Sequence, residues 1–147
     1  MSIVAVTRLR LRDHEESDDF LGLALALLEQ AEHSHGIRGL DTLADAHDVW
    51  WSVSCWRDRA SVDDYVHSNP HAEAMTRLEE LCDEASFIDW IQAGDDLPDW
   101  ATAHRRLVDQ GRSAMLSSQS ASNESRAFPP PRDPQIQPQS TASGGQA

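Results

Sequence analysis

The sequence predicts one α+β domain, and three observations lead there. Residues 3–11 alternate with a period of two, residues 47–56 form a β-branched and aromatic run, and the stretches after Ser17, Asn69 and Pro98 carry apolar residues at helical spacing. The chain is 147 residues long, 39% hydrophobic and 25% charged, which suits a single core.

Taken in order, Ile3, Ala5, Leu9 and Leu11 lie on one side of a first strand, and Val4, Val6, Arg8 and Arg10 on the other. Ser17 is placed to cap a helix with Asp18 and Asp19 in its first turn. Phe20, Ala24, Leu27, Leu28 and Ala31 form its apolar stripe, and Gly36 ends it. Gly36 to Ala46 and His47 to Trp56 read as second and third strands, joined near residues 45–48. Ser61 begins a short helix with Val62, Tyr65 and Val66. Asn69-Pro70 opens another, with Ala74, Met75, Leu78, Leu81 and Cys82 inward. Ala85 to Ala93 is the fourth strand. Pro98 opens a terminal helix through Gln110 that buries Trp100, Ala103, Leu107 and Val108 and stops at Gly111. The order is that of a ferredoxin-like four-stranded antiparallel sheet with helices on one face.

After Gly111 the composition shifts to Ser, Gln, Pro and Ala, so residues 1–112 are expected to fold and residues 113–147, Phe128 to Pro131 included, to form a disordered, solvated tail. Glu124 and Asp133 cancel Arg126 and Arg132 there, which leaves the whole formal charge of −13 on residues 1–112.

That charge makes nucleic acid and anionic membrane surfaces poor partners. All 12 cations are Arg, so chemistry that requires a lysine amine, such as Schiff-base formation, is excluded. Cys55 and Cys82 have no metal-ligand spacing and read as buried free thiols in a reducing, cytoplasmic setting. The Phe20–Leu28 stretch is far shorter than the roughly 20 apolar residues of a membrane span, and no targeting segment is expected.

On the third strand, Val49, Trp51, Val53 and Cys55 point one way, to the core, and Trp50, Ser52, Ser54 and Trp56 the other. Large aromatics mixed with small hydroxyls suit the wall of a ligand cavity. A second copy closing sheet against sheet would enclose it, so a homodimer is expected. Trp56, Trp90 and Trp50 are candidate walls for a planar aromatic ligand, whereas Trp51 and Trp100 read as core.

His71, in the first turn of a helix, is favoured as neutral imidazole and is a candidate base or haem ligand, or else an ordinary helix-surface histidine. His67 and His71 have helical metal spacing, but Asn69-Pro70 restarts the helix between them and no metal site is expected. His33 and His35 fall at a helix end, and His14, His47 and His104 read as loop or surface residues. Arg8 and Arg10 belong to the cavity, fixing an anionic or phenolate ligand, or to a dimer rim. Asp89 is a base if buried and an ordinary solvent-facing carboxylate otherwise. No nucleophile elbow or glycine-rich phosphate loop is present.

The run VWWSVSCWRDRASVDDYVHSNPHAEAM, continued by LCDEASFIDWIQAGDDLPDWATAHRRLVDQGR, resembles bacterial members of the antibiotic biosynthesis monooxygenase-like superfamily over about residues 3–116. The block ending in His71-Ala-Glu-Ala-Met75, with Leu97-Pro98-x-Trp100, resembles a subgroup of unknown function. The resemblance implies a dimeric α/β barrel with a pocket between helices and sheet, and activities that include cofactor-free quinone formation and haem degradation. Haem-degrading members use an Asn on the first strand and a Trp and a His on later helices, where this chain has Thr7, Tyr65 and Met75. His71 stands one helical turn earlier, a displacement of about 5 Å, so haem breakdown is disfavoured and no cofactor is expected. The expectation is a cofactor-independent monooxygenase acting on a planar aromatic or polyketide-like molecule. His71 is the base, Tyr65 the donor, and Trp56, Trp90, Trp50, Thr7 and Arg8 bind substrate. The alternative is a non-catalytic dimer that binds a small molecule or haem.

Overall fold

A computed structural model describes residues 1–13, 17–45, 48–113 and 128–131. The elements run β1 (Ser2–Leu11), α1 (Ser17–Glu32), β2 (Ile37–Asp45), β3 (Val49–Trp56), α2 (Arg59–His67), α3 (His71–Leu81), β4 (Cys82–Gln92), α4 (Trp100–Gln110) and β5 (Arg112–Ser113). The expected four antiparallel strands are all present, and β5 adds a fifth at the edge, giving the order β2-β3-β1-β4-β5. His14 and His47, read as surface residues, lie outside the described residues, as does the side chain of Ser17.

Helix boundaries shift toward the true caps. Asp58 rather than Ser61 caps α2, its carboxylate accepting from the Ser61 amide at 2.9 Å. Those hydrogen bonds, led by the one from the Ser61 hydroxyl, hold the Asp58 pKa down at about 2. Asp99 caps α4 through the Thr102 amide, one residue after the proline expected to open it. Two glycines are required by space. Gly36 has φ +86°, and a Cβ there would meet Ser61 Oγ at 2.1 Å. A Cβ on Gly111 would meet the Leu107 carbonyl at 2.3 Å, which sets the stop of α4.

The alternation of β1 and β3 divides the core in two. Ile3, Ala5, Thr7 and Leu9 pair with Trp56, Ser54, Ser52 and Trp50 on the face under α1, α2 and α3. Val4, Val6 and Arg8 pair with Cys55, Val53 and Trp51 on the opposite face. The terminal helix α4 covers that opposite face: Ala103 and Leu107 pack on Val4, Val6, Trp51 and Val53, all essentially inaccessible to solvent. Phe128 completes the cover, 5% exposed and edge-on to Trp51 with ring centroids 6.1 Å apart. A stretch that composition places in the tail is therefore part of the packed domain. His104, expected at the surface, meets it, its Nε2 lying 3.0 Å from the Phe128 carbonyl oxygen.

Both faces of the sheet are thus covered within one chain, and the serine-bearing face of β3 is roofed by the protomer's own helices. Among the described residues, the cavity wall expected to need a second copy to enclose it is enclosed by α1–α3 of the same chain. Met75, expected inward, borders the cavity but is 42% exposed.

The face under α4 carries a buried ion pair. Arg8 and Glu84 are 4% and 1% exposed and in direct contact, and Glu84 also receives Arg10 at 3.0 Å. Arg10 is held in turn by both carboxylate oxygens of Asp83, at 3.0 and 2.5 Å. The Arg8 guanidinium lies 4.2 Å from the Phe128 ring centroid, a cation–π contact that further offsets its desolvation. Removing one member strands a buried charge, so Glu84→Leu is expected to lower the unfolding free energy in urea by about 3–5 kcal/mol. Arg8→Met combined with Glu84→Leu is expected to recover most of the loss. A Glu84→Leu variant of wild-type stability would contradict this account of the pair.

Candidate active site

Between the sheet and α1–α3 lies a cavity of about 350 Å³, within the range of about 300–1,000 Å³ typical of ligand pockets. Its origin is legible in side-chain size. Along β3 the inward positions read Trp50, Ser52, Ser54 and Trp56, and the β1 residues beside the two serines are Thr7 and Ala5. Large rings at the two ends and small residues between them leave a hollow in the middle of the floor. The tryptophans are six residues apart, roughly 20 Å along the strand. Helix α1 roofs the hollow with Phe20, Ala24, Leu27 and Ala31, and α3 closes it with Ala74 and Leu78.

Each end is fixed by packing. Trp50 meets Phe20 edge-on at 6.1 Å between centroids. Trp56 donates its indole N–H to Ser54 Oγ at 2.8 Å. Its ring lies 5.0 Å from that of Tyr65, which in turn lies 4.8 Å from the His71 ring in an edge contact. The Tyr65 hydroxyl donates to the Leu27 carbonyl at 3.3 Å, and burial pushes its pKa up to about 12, so it stays protonated at neutral pH.

His71 is the first residue of α3 and lines the cavity. Its Nδ1 is buried and has no hydrogen-bond partner among the described residues. Burial lowers its pKa below the ordinary 6.5, helped by the nearby His67 and opposed by the Val66 carbonyl. Position at a helix N-terminus acts in the same direction. The result is a neutral imidazole with an unused ring nitrogen beside an apolar hollow.

Residues 4–133 match the protein family described as Domain of unknown function (DUF3291). The chain belongs to this family. Among curated proteins none matches it. Solved structures similar to this DUF3291 domain include a conserved protein from Methanosarcina mazei, at 19% identity and TM-score 0.56 over 63% of this chain and 94% of that one. An antibiotic biosynthesis monooxygenase aligns at 14% identity and TM-score 0.56, over 63% and 99% of the two chains. SnoaB, a cofactor-independent oxygenase from Streptomyces nogalater, aligns at 13% identity and TM-score 0.54, over 67% and 98%. The likeness is one of fold, and it is the fold of antibiotic biosynthesis monooxygenase-like proteins.

In this DUF3291 domain, five of the seven expected site residues meet: His71, Tyr65, Trp56, Trp50 and Thr7 all line the cavity. Trp90 and Arg8 do not. They lie on the α4 face, where Arg106 stacks over the Trp90 ring at 4.7 Å and Arg8 is engaged by Glu84. The parity of β1 and β4 decides this, since Val4 pairs with Trp90 and Arg8 with Trp51. Arg8 and Arg10 therefore hold a buried carboxylate of their own chain rather than a ligand in this cavity. Asp89 reaches the cavity margin but is ion-paired with Arg59 at 2.9 Å, which disfavours it as a base. Thr7, Tyr65 and Met75, the positions aligned with the haem-degrading set, all line the cavity without supplying that set's Asn, Trp or His. Among the described residues no group of three or more His, Cys, Asp or Glu gathers as a metal site, and no helix is long and apolar enough to cross a membrane. The contribution of α1 was missed as lining, because an apolar helical stripe looks the same over a void as over a packed core.

The sign of one pH effect follows. Because folding holds His71 neutral, the unfolded chain binds a proton that the folded chain resists as pH falls through 6.5. Stability from this group is present above that pH and lost below it. Urea unfolding of His71→Gln is expected to show a smaller fall in stability from pH 7 to pH 5 than the wild type. Identical pH slopes would contradict the burial argument.

Proposed function

We propose that this protein is a cofactor-independent oxygenase of a planar aromatic or polyketide-like small molecule bound between Trp50 and Trp56. One observation carries the reading: a neutral, buried imidazole with a free Nδ1, packed against Tyr65, at the wall of an apolar cavity. A base in that setting can ionise a weakly acidic C–H or O–H in a site that excludes water. The fold shared with an antibiotic biosynthesis monooxygenase and with SnoaB supports the reaction class.

The chemistry balances without a bound group. His71 takes a proton from an acidic methylene, and the resulting enolate gives one electron to O2. Substrate radical and superoxide combine to form a C–O bond, and the imidazolium returns its proton to the peroxide. Loss of water from the hydroperoxide, which carries off the second methylene hydrogen, leaves a carbonyl. The sum is a methylene plus O2 giving a carbonyl plus water, with His71 regenerated. Tyr65, protonated throughout, stiffens the His71 side of the cavity, and the tryptophan rings bound its two ends.

Anthrone, a three-ring ketone with an ionisable methylene, is a suitable probe. Wild-type protein is expected to bind it anaerobically and to consume O2 when air is admitted. His71→Ala is expected to keep binding and to lose about 10²–10⁴-fold in turnover. Undiminished turnover in His71→Ala would remove the base, and binding without O2 consumption in the wild type would make this a binding protein.

A further inference from the structure

A glutamine side chain has two N–H donors and one carbonyl acceptor, so it satisfies at most a few partners and its geometry selects them. Gln30, near the C-terminal end of α1, uses both ends of its amide on one segment. Its Nε2 donates to the Tyr65 carbonyl at 2.9 Å and to the Ser68 carbonyl at 3.2 Å. Its Oε1 accepts the His71 backbone N–H at 2.8 Å. The carbonyls belong to the last turn and C-cap of α2, where they also accept the Ser68 and Ala72 N–H groups, and the His71 N–H is one of those that the first turn of α3 leaves without a helical partner. One amide therefore closes two helix ends across the Ser68–Pro70 turn.

The choice of partners gives this amide a functional meaning. The carbonyl of Leu27, three residues earlier on the same helix, accepts the Tyr65 hydroxyl, so α1 grips Tyr65 at its phenol oxygen and at its main chain. The same helix grips His71 at the nitrogen next to the Cα that carries the imidazole. The edge contact between the two rings, 4.8 Å between centroids, is then set by α1 rather than by α2 and α3 alone. We infer that Gln30 is the positioning residue of the site, holding Tyr65 and His71 in register through their backbones. Gln30 does not itself line the cavity and acts through those two residues, which do. The inference rests on the reading of His71 as the base.

Gln30→Met keeps the length and removes all three hydrogen bonds. The variant is expected to melt cooperatively, to keep its KM for anthrone and to lose about 10²-fold in kcat, the scale of a misplacement near 1 Å. The nuclear Overhauser contact between the Tyr65 and His71 rings is expected to vanish. Gln30→Glu retains the acceptor for His71 and loses the donors to Tyr65 and Ser68, so its kcat is expected to fall between the two; it carries the same readouts if the Met variant does not fold. Wild-type kcat with the ring contact intact in either variant would overturn the inference. If wild-type protein does not oxidise anthrone, the oxygenase reading fails, and the ring contact in Gln30→Met still decides whether Gln30 holds the pair.

Discussion

Everything in this molecule depends on a size pattern across two adjacent strands. Where β3 presents Trp, Ser, Ser and Trp and β1 answers with Thr7 and Ala5 beside the serines, helices laid over the sheet touch the rings and bridge the gap between them. A sealed, dry void of about 350 Å³ would cost roughly 8 kcal/mol at ~24 cal/mol per Å³ of cavity. That is comparable with the entire stability of a domain, ~5–15 kcal/mol. An occupant relieves that cost, and apolar walls favour an apolar ligand over water.

The two sides of the sheet solve opposite problems. Under α4 the packing is dense, and the ion pair buried there, Arg8 with Glu84, is stacked on Phe128 and tied to Arg10. Under α1–α3 the packing is deliberately incomplete. The dense side holds the strands in register, and register holds the small residues beneath the gap, since a slip of one residue would exchange the two faces. Rigidity on one side of the sheet is in this sense the condition for a preformed pocket on the other.

Much of this was legible in the sequence. Alternation in residues 3–11 and 49–56 gave the strands and their faces, the Asp-rich start and apolar stripe gave α1, and the Trp50-to-Trp56 pattern already marked a cavity wall. Tertiary choices were less accessible. Alternation separates Val49 from Trp50 but does not say which face receives α1–α3 and which receives α4, and from that ambiguity came the misplacement of Arg8 and Trp90. Phe128 sits in a Ser- and Pro-rich stretch whose composition argues for solvation, and only the gap over Arg8 and Trp51 accounts for its burial. Gln30 carried no signal at all, because a polar residue on a helix is ordinary until the carbonyls it meets are known.

The claim that the central hollow is the ligand site is tested most directly by filling it. Ser52→Phe places a ring between the two tryptophans, on the one part of the floor where the packing leaves space. Calorimetric titration with anthrone should give binding to the wild type and none to Ser52→Phe, while the variant melts at or above the wild-type temperature because the void is occupied. Unaltered affinity in a folded Ser52→Phe protein would place the ligand elsewhere and contradict the account.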